Sequence, residues 1–176
     1  LEGANLREAK FVGAKLLGAN LEGANLVEAY LERTNLVGAN LERVNLWRAN
    51  LEGANLERAN LEGANLERAN LAGANFEKAK YNEATIWKGA GYDFDTIFPD
   101  GFKPEEHDMI LDLRGDNLGN MDLSGKDLSY ALLQWANLEN VIYDKTTIWT
   151  GAKYDFNTKF PKNFNYTDPK YGLIPD

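Results

Sequence analysis

Apolar residues recur every five positions in the first half of the chain. Each repeat has a large apolar centre, a small residue two positions earlier and a polar residue, usually Asn, between the two. The two positions after each centre are mostly charged residues or Gly. The eighteen predicted centres are Leu1, Leu6, Phe11, Leu16, Leu21, Leu26, Leu31, Leu36, Leu41, Leu46, Leu51, Leu56, Leu61, Leu66, Leu71, Phe76, Tyr81 and Ile86.

A five-residue period excludes both an α-helix and a flat β-strand. A helix turns about 100° per residue, so a step of five residues would move the centres around its axis by roughly 140° and leave no apolar stripe. Side chains alternate between two faces of a strand, so an odd period would turn every second centre outward. Both conflicts disappear if the chain turns a corner once per repeat. The small residue and the centre then face inward, and the Asn faces outward.

The two residues after each centre are the predicted corner. Gly occupies the second corner position in eight of the eighteen repeats, and a type II turn needs a positive φ at that position. Most other repeats have Arg, Lys or Glu there, which predicts a type I turn. Stacked coils of this kind form a β-solenoid with a Leu- and Ala-filled interior. The residues alone leave the number of sides per coil open.

A second, less regular run of five-residue repeats follows the first. Its small positions include Asp116 and Lys126, whose burial would be costly, so we expect these coils to be open to water there. The predicted centres of this run are Leu113, Leu118, Leu123, Leu128, Leu133, Leu138, Tyr143 and Ile148.

Both runs end in similar segments, TIWKGAGYDFDTIFPDGF at 85–102 and TIWTGAKYDFNTKFPKNF at 147–164. The last coil of a solenoid exposes an apolar cross-section that a terminal segment must cover. We interpret both segments as aromatic lids, the first of which became internal by duplication or by fusion of two solenoids. The aromatic residues predicted in the second lid are Trp149, Tyr154, Phe156, Phe160 and Phe164.

The repeats predict four segments: a first array, a cap-like insertion or linker, a second array, and a C-terminal cap and tail. The insertion either loops out of one continuous solenoid or separates two solenoids. The second array has only about two coils, fewer than the three units expected for independent stability, which favours one stack. Pro104 before two acidic residues predicts a short helix, and residues 165–176 are expected to be irregular. The segment bounds are 1–88, 89–110, 111–150 and 151–176.

The A-N-L-x-x signature resembles the pentapeptide-repeat family. The resemblance covers residues 1–88 without a gap and returns more loosely at 111–150. It implies an all-β fold, namely a right-handed quadrilateral β-helix with four repeats, about 20 residues, in each coil. The short irregular or helical excursion and the C-terminal cap would be additions to this solenoid. The resemblance says little about activity, because most members of the family have no assigned activity.

Composition argues against an enzyme. The chain has no Cys, one His (His107) and two Ser, so it offers no disulfide, no thiolate metal site and no His-based catalytic set. Its glycines recur as corners and form no phosphate-binding loop. We therefore expect no catalytic, cofactor-binding or metal-binding residues, and a loop position for His107.

Nothing in the sequence indicates a membrane protein. There is no apolar run of 18 residues and no visible signal peptide. We expect a bacterial, cytoplasmic protein, with a processed exported chain as the alternative, since the sequence starts within a repeat.

The charge distribution argues against direct nucleic-acid binding. The net charge is −8, with 12 acids and 11 bases in residues 1–90 and 15 acids and 8 bases in residues 91–176. No basic patch is therefore available for a polyanion. An acidic surface instead permits an unidentified protein partner.

Residues twenty apart would stack about 4.8 Å from one another in four-sided coils. This places four Glu side chains in one column, which either is screened by water, salt and Arg43 or forms a protein-binding or cation-binding edge. Trp47 lies one corner later, where charge is usual, and Val27 stacks with it. The candidate interaction residues are Trp47, Val27, Glu2, Glu22, Glu42 and Glu62.

These observations favour a non-enzymatic structural or protein-interaction scaffold. Homodimer formation, through Trp47 or through the lids, is left open. The resemblance supplies an alternative, because some pentapeptide-repeat proteins mimic DNA and bind a type II topoisomerase such as gyrase. DNA carries about one charge per 1.7 Å, so a first array of roughly 22 Å would need on the order of 13 uncompensated charges. Ice binding through a Thr array is excluded, since the first array has only Thr34 and Thr85.

Overall fold

The computed structural model describes all 176 residues, and the chain divides into two compact units, Leu1–Ile110 and Leu111–Asp176. Most backbone pairing consists of single-residue parallel bridges between successive coils. No helix in the structure exceeds four residues, so none could cross a bilayer. The regular elements are the strands β1 (Gly91–Tyr92), β2 (Ile110–Leu111), β3 (Lys153–Tyr154) and β4 (Ile174–Pro175), and the 3₁₀ helices Pro104–His107 and Pro169–Tyr171.

Parallel bridges in the first unit join residues twenty positions apart, from Asn5–Asn25 up to Asn60–Lys80. Asn5 pairs with Asn25, Asn25 with Asn45, and Asn45 with Asn65. One coil therefore contains four five-residue repeats. The backbone hydrogen bonds of each coil run to the next coil; the Leu46 amide, for example, donates to the Asn65 carbonyl at 2.7 Å.

The predicted centres and small residues fill the interior of this unit. Every centre from Leu21 to Phe76 is at most 1% exposed, and full burial of one Leu side chain contributes roughly 1.5–3 kcal/mol. The two unusual small residues are also accommodated. Val44 is 1% exposed, and the buried Thr34 donates its hydroxyl hydrogen to the Phe11 carbonyl at 2.7 Å.

All the two-residue corners of the first array share one backbone conformation. Gly53 has a φ of 63° and Arg58 a φ of 57°, and each turn is closed by the amide of the next small residue, as in Ala59 to the Leu56 carbonyl at 2.9 Å. The prediction of type I turns at charged corners was wrong. The left-handed conformation points the Arg58 amide at the Glu77 carbonyl of the next coil, 3.0 Å away. That bond offsets part of a conformational cost of about 1–2 kcal/mol.

Outward Asn side chains hold the following corner in place. Asn45 Oδ1 accepts a hydrogen bond from the Trp47 amide at 3.1 Å, an arrangement typical of Asn at turns. Asn amides also bond along the stack, as Asn60 Nδ2 does to Asn40 Oδ1 at 3.4 Å. These two kinds of hydrogen bond explain why Asn is favoured over other polar residues at the outward position.

The five-residue register breaks after Tyr81. Asn65 pairs with Ile86, twenty-one residues later, because the corner at 82–84 has three residues rather than two. Thr85 and Trp87 consequently face inward, with 7% and 2% exposure, and Ile86 is 45% exposed. The prediction of Ile86 as a centre was wrong; Trp87 is the centre of this repeat.

The longer corner occurs four times, in YNEATIW, YDFDTIF, YDKTTIW and YDFNTKF. In each copy, the amide of the Asn or Asp donates to the hydroxyl of the Thr three residues later, at 3.1–3.2 Å. That hydroxyl donates in turn to a carbonyl of the preceding coil. In the second unit the same shift leaves Ile148 44% exposed and Trp149 2% exposed, which corrects the predicted centre Ile148. The copies lie at 81–87, 92–98, 143–149 and 154–160.

Each unit ends in an aromatic cluster of the same design. The Trp87 and Phe102 rings lie 5.1 Å apart in the first unit, and those of Trp149 and Phe164 lie 5.0 Å apart in the second. Phe160 packs on Phe164 at 5.4 Å. Phe156, which we assigned to the lid, is 94% exposed and lies outside it, because it occupies the middle of a three-residue corner.

The second unit repeats the twenty-residue coil with a less uniform interior. Asn117 pairs with Asn137, and Lys126 is exposed, as expected of a coil open to water at that position. The predicted short helix at Pro104 is confirmed as a 3₁₀ helix. The terminal segment is more ordered than expected, because it contains the second 3₁₀ helix and β4, which pairs in parallel with β3.

Candidate interaction surface

The register of the coils brings the six candidate residues to one side of the first unit. The corners that precede this side have the Glu column, and the corners that follow it have Val27 and Trp47. We call this surface the Glu–Trp side. Its floor consists of the bridged outward residues Asn5, Asn25, Asn45 and Asn65.

The acidic edge of the Glu–Trp side is organised by neighbouring amides and one cation. Asn20 Nδ2 donates to Glu2 at 3.0 Å, and Asn40 Nδ2 donates to Glu22 at 3.2 Å. Arg43 lies 3.0 Å from Glu42 and 3.8 Å from Glu22. Arg43 is therefore paired with Glu22 and Glu42, whereas Glu2 and Glu62 form no ion pair in the structure.

The opposite edge presents one aromatic ring. Trp47 is half-buried, and the Arg48 guanidinium carbon lies 4.4 Å from its ring centroid, a cation–π contact. Val27 is only 7% exposed. The interpretation of Val27 as exposed apolar surface was therefore wrong. Val27 instead supports its own corner, on which the Trp47 corner of the next coil stacks.

An open cavity of about 430 Å³ adjoins this edge through Arg48. The Glu28 carboxylate forms one ion pair with Arg7 and another with Arg48, the latter at 3.8 Å. These charged groups are paired with one another, and the lining contains no Ser, Thr, Cys, Lys or His. The lining residues are Glu8, Glu28, Ala29, Tyr30, Arg48 and Asn50.

No group of three or more His, Cys, Asp or Glu residues is placed to hold a metal ion. His107 is half-buried and stacks on Phe102 with the ring centroids 4.5 Å apart, so it is packed rather than freely solvated.

Sequence reasoning missed a group of exposed aromatic residues in the second unit. Tyr130, Trp135 and Phe156 are 73%, 65% and 94% exposed. Their place in the five-residue repeat could have indicated their exposure, because Tyr130 and Trp135 fall on second corner positions, where side chains point outward.

Asp155 lies in the corner of the next coil that stacks on the corner of Trp135, and its carboxylate accepts a hydrogen bond from the Trp135 amide. Loss of water around it raises its pKa, but hydrogen bonds from the Asn157 amide, the Trp135 backbone amide and the Thr158 hydroxyl outweigh that effect. They hold the pKa of Asp155 at about 2, below its ordinary value of 3.8. These bonds fix the three-residue corner from which Phe156 projects.

The depressed pKa of Asp155 predicts a loss of stability in acid. Its contribution is complete above pH 3.8 and is lost as the pH falls towards about 2. Thermal melting between neutral and acid pH should show wild type losing stability in this window. Asp155→Asn should be less stable at neutral pH and should decline less over the window. Parallel declines of the two proteins would contradict this role for Asp155.

Known proteins resemble the chain through its repeats. The family model described as pentapeptide repeats matches in 8 copies, at residues 1–26, 24–63 and 49–80. Comparison with curated protein sequences finds no significant match.

Several solved structures are similar. HetL, a pentapeptide repeat protein involved in heterocyst differentiation regulation from the cyanobacterium Nostoc sp. strain PCC 7120, is 27% identical over 92% of this chain and 73% of its own, with a TM-score of 0.44. Rfr23, from the cyanobacterium Cyanothece 51142, is 42% identical over 56% of this chain and 63% of its own, with a TM-score of 0.37. The protein alr5209 from Nostoc PCC 7120 is 30% identical over 60% of this chain and 82% of its own, with a TM-score of 0.34.

Family membership follows from sequence. The family model matches tandem copies across the first array, and the identity with alr5209 extends over most of that protein. The chain belongs to the pentapeptide-repeat family.

Proposed function

We propose that the chain is a non-enzymatic protein-interaction scaffold of the cytoplasm, in which the Glu–Trp side binds a basic segment of a partner protein. The scaffold is a right-handed, four-sided β-helix; four corners per twenty-residue coil support four sides. One observation supports the function above the others. Glu2, Glu22, Glu42 and Glu62, which are distant from one another in sequence, stack into one column that borders the same side of the first unit as Trp47.

The two edges suit a cationic partner in different ways. The column of Glu side chains attracts Lys or Arg side chains of a partner and accelerates encounter, an effect that salt weakens. Trp47, whose ring is already in contact with the Arg48 guanidinium, offers its remaining exposed surface to an apolar side chain of the partner, and Trp is a frequent hot-spot residue. The Asn floor between the edges is held by its own hydrogen bonds, so binding requires little ordering of this surface.

Affinity capture tests the proposal. Immobilised wild-type protein is expected to retain a basic protein from the source cells, and Trp47→Ala should retain much less of it. Glu52→Gln/Glu57→Gln, which alters corners on the opposite side, is the matched control and should bind like wild type. If no protein is specifically retained, the result would count against the Glu–Trp side. So would a control variant that loses as much of the retained protein as Trp47→Ala does.

The second candidate is DNA mimicry directed at gyrase, favoured by the stacking of four Glu side chains in one column. Other acids of the first unit are neutralised where they lie, as in Arg58–Glu57 at 3.2 Å and Lys78–Glu77 at 2.7 Å. The uncompensated charge is therefore far below that of DNA of equal length. We expect micromolar protein to leave the supercoiling activity of gyrase unchanged. Inhibition that Glu22→Gln/Glu42→Gln relieves would favour mimicry over the scaffold.

A further inference from the structure

Tyr130, Trp135 and Phe156 form an exposed aromatic surface on the second unit. The Trp135 and Phe156 ring centroids lie 6.4 Å apart. Tyr130 and Trp135 occupy successive corners of one coil, with Leu132 in the outward position between them. We call these four residues the aromatic corner surface. Exposed apolar clusters of this kind mark interaction sites more often than isolated apolar residues do.

The backbone at this surface is strained. Tyr130 and Trp135 have φ values of 60° and 66°, a conformation that is unfavourable for bulky L residues. Other corners of the unit use Gly or Asn, which tolerate it better, as at Gly115 and Asn140. The two aromatic residues thus carry a conformational cost in addition to that of exposing apolar surface. The Tyr130 amide offsets part of the conformational cost by donating to the Thr150 carbonyl at 2.9 Å, whereas the cost of the exposed apolar surface would be offset by burial against another molecule.

The rings are fixed by the coil beneath them. A Cβ atom on Gly151 would lie 2.6 Å from Cδ1 of Tyr130, so the Tyr130 ring rests on the Gly151 backbone. The Trp135 amide donates to Asp155 Oδ1 at 3.0 Å, which holds that corner against the corner of Phe156. The surface is therefore pre-organised, and binding would lose little side-chain entropy.

The exposed area matches what a homodimer needs. With their observed exposures, the three rings present roughly 500 Å² of apolar surface per copy. A standard interface buries about 800 Å² per partner, and homodimer interfaces are about 65% apolar, or roughly 520 Å². The aromatic corner surface thus supplies the apolar centre of one standard two-fold interface.

The charges around the surface favour a second copy over a strongly charged partner. Lys153 and Lys159 flank it on the bridged outward positions, and Asp155 and Asp176 lie at its corners, where Asp176 accepts from Gln134 at 3.0 Å. Two cations and two anions give no net charge, so identical surfaces would not repel each other. In a two-fold arrangement the same patch is used twice, which lets Lys of one copy meet Asp of the other.

We infer that the chain forms a two-fold homodimer through the aromatic corner surface, with the Trp135 and Phe156 rings of both copies at its centre. This interface lies on the second unit and does not depend on the partner-binding side proposed for the first. The dimer would present two Glu–Trp sides to a partner.

Sedimentation equilibrium of the full chain, from micromolar to millimolar concentration, tests the inference. Wild type should sediment as a reversible dimer. Trp135→Asn should raise the dissociation constant at least ~30-fold, as loss of a hot-spot Trp does. Asn adopts the same backbone at Asn120 and Asn140, so this variant relieves strain and should fold. Phe156→Ser, which removes a ring outside the core, should act in the same direction.

Leu17→Asn is the control, since Leu17 is 68% exposed on the first unit; it should leave the dissociation constant unchanged. A wild-type monomer throughout the range would overturn the inference. So would a dimer that survives both aromatic variants, or one that only Leu17→Asn dissociates. Monomeric protein that instead retains a different protein through Trp135 would assign the surface to a heterologous partner and overturn self-association.

Discussion

Trp87→Ala is expected to lower the free energy of unfolding by about 3–5 kcal/mol, the usual cost of removing a large aromatic side chain from a core. Trp87 is 2% exposed and contacts Phe76, Tyr81 and Phe102 through its ring. The neighbouring Ile86→Ala should cost less than about 1 kcal/mol, because Ile86 is 45% exposed and faces outward. Urea denaturation followed by circular dichroism measures both values.

This adjacent pair is a direct test of the register. An uninterrupted five-residue register makes Ile86 the buried centre and Trp87 a corner residue, which reverses the order of the two costs. A larger loss for Ile86→Ala than for Trp87→Ala would therefore contradict the three-residue corner at 82–84.

Thr147→Val is expected to lower the free energy of unfolding by about 1–3 kcal/mol with little change in side-chain volume. The Thr147 hydroxyl donates to the Leu123 carbonyl at 2.9 Å and accepts from the Asp144 amide at 3.2 Å. Valine would leave both backbone groups without this partner in a site where Thr147 is 7% exposed. The loss should appear in urea denaturation monitored by tryptophan fluorescence, to which Trp149, two residues away, contributes.

Thr146→Val is the matched control. Thr146 is exposed, so water can replace its hydrogen bonds and the expected loss is within about 0.5 kcal/mol. Equal losses for the two variants would show that the buried hydroxyl does not hold the longer corner to the preceding coil.

The interior of the solenoid could be predicted from sequence because inward and outward positions differ so clearly in chemistry. Leu, Ala and Asn each have one role in the coil, and the spacing of Leu46 and Leu51 excluded other secondary structures. Corner conformation was harder to predict. Arg58 and Gly53 differ in intrinsic preference, and the inter-coil hydrogen bond, which local sequence does not reveal, imposes the same left-handed backbone on both.

The register shift could not be read from a five-residue count, because Ile86 and Trp87 are both apolar and either could be the centre. The Y-[N/D]-x-x-T motif is the signal that distinguishes them, and only its hydrogen bonds show that the Thr belongs inside. Comparing the four copies with one another, rather than the two long segments, would have exposed the shift.

The candidate surface was predicted in part. The twenty-residue coil was enough to align Glu22 with Glu42, because stacking depends only on the period. The burial of Val27 could not be predicted, since exposure at a corner depends on side chains from adjacent coils. The backbone strain at Trp135 could not be predicted from sequence either, because recognising it requires the φ angle of that residue.

Titration of the captured partner against three variants tests most directly whether the two edges of the Glu–Trp side form one docking surface. Trp47→Ala is expected to raise the dissociation constant at least ~30-fold. Glu22→Gln/Glu42→Gln should raise it at low salt and less at high salt, and Glu52→Gln/Glu57→Gln should leave it unchanged. If only the Trp47 variant or only the Glu22/Glu42 variant weakens binding, the account of a single docking surface is contradicted. The same holds if the Glu52/Glu57 control weakens binding as much as either of them.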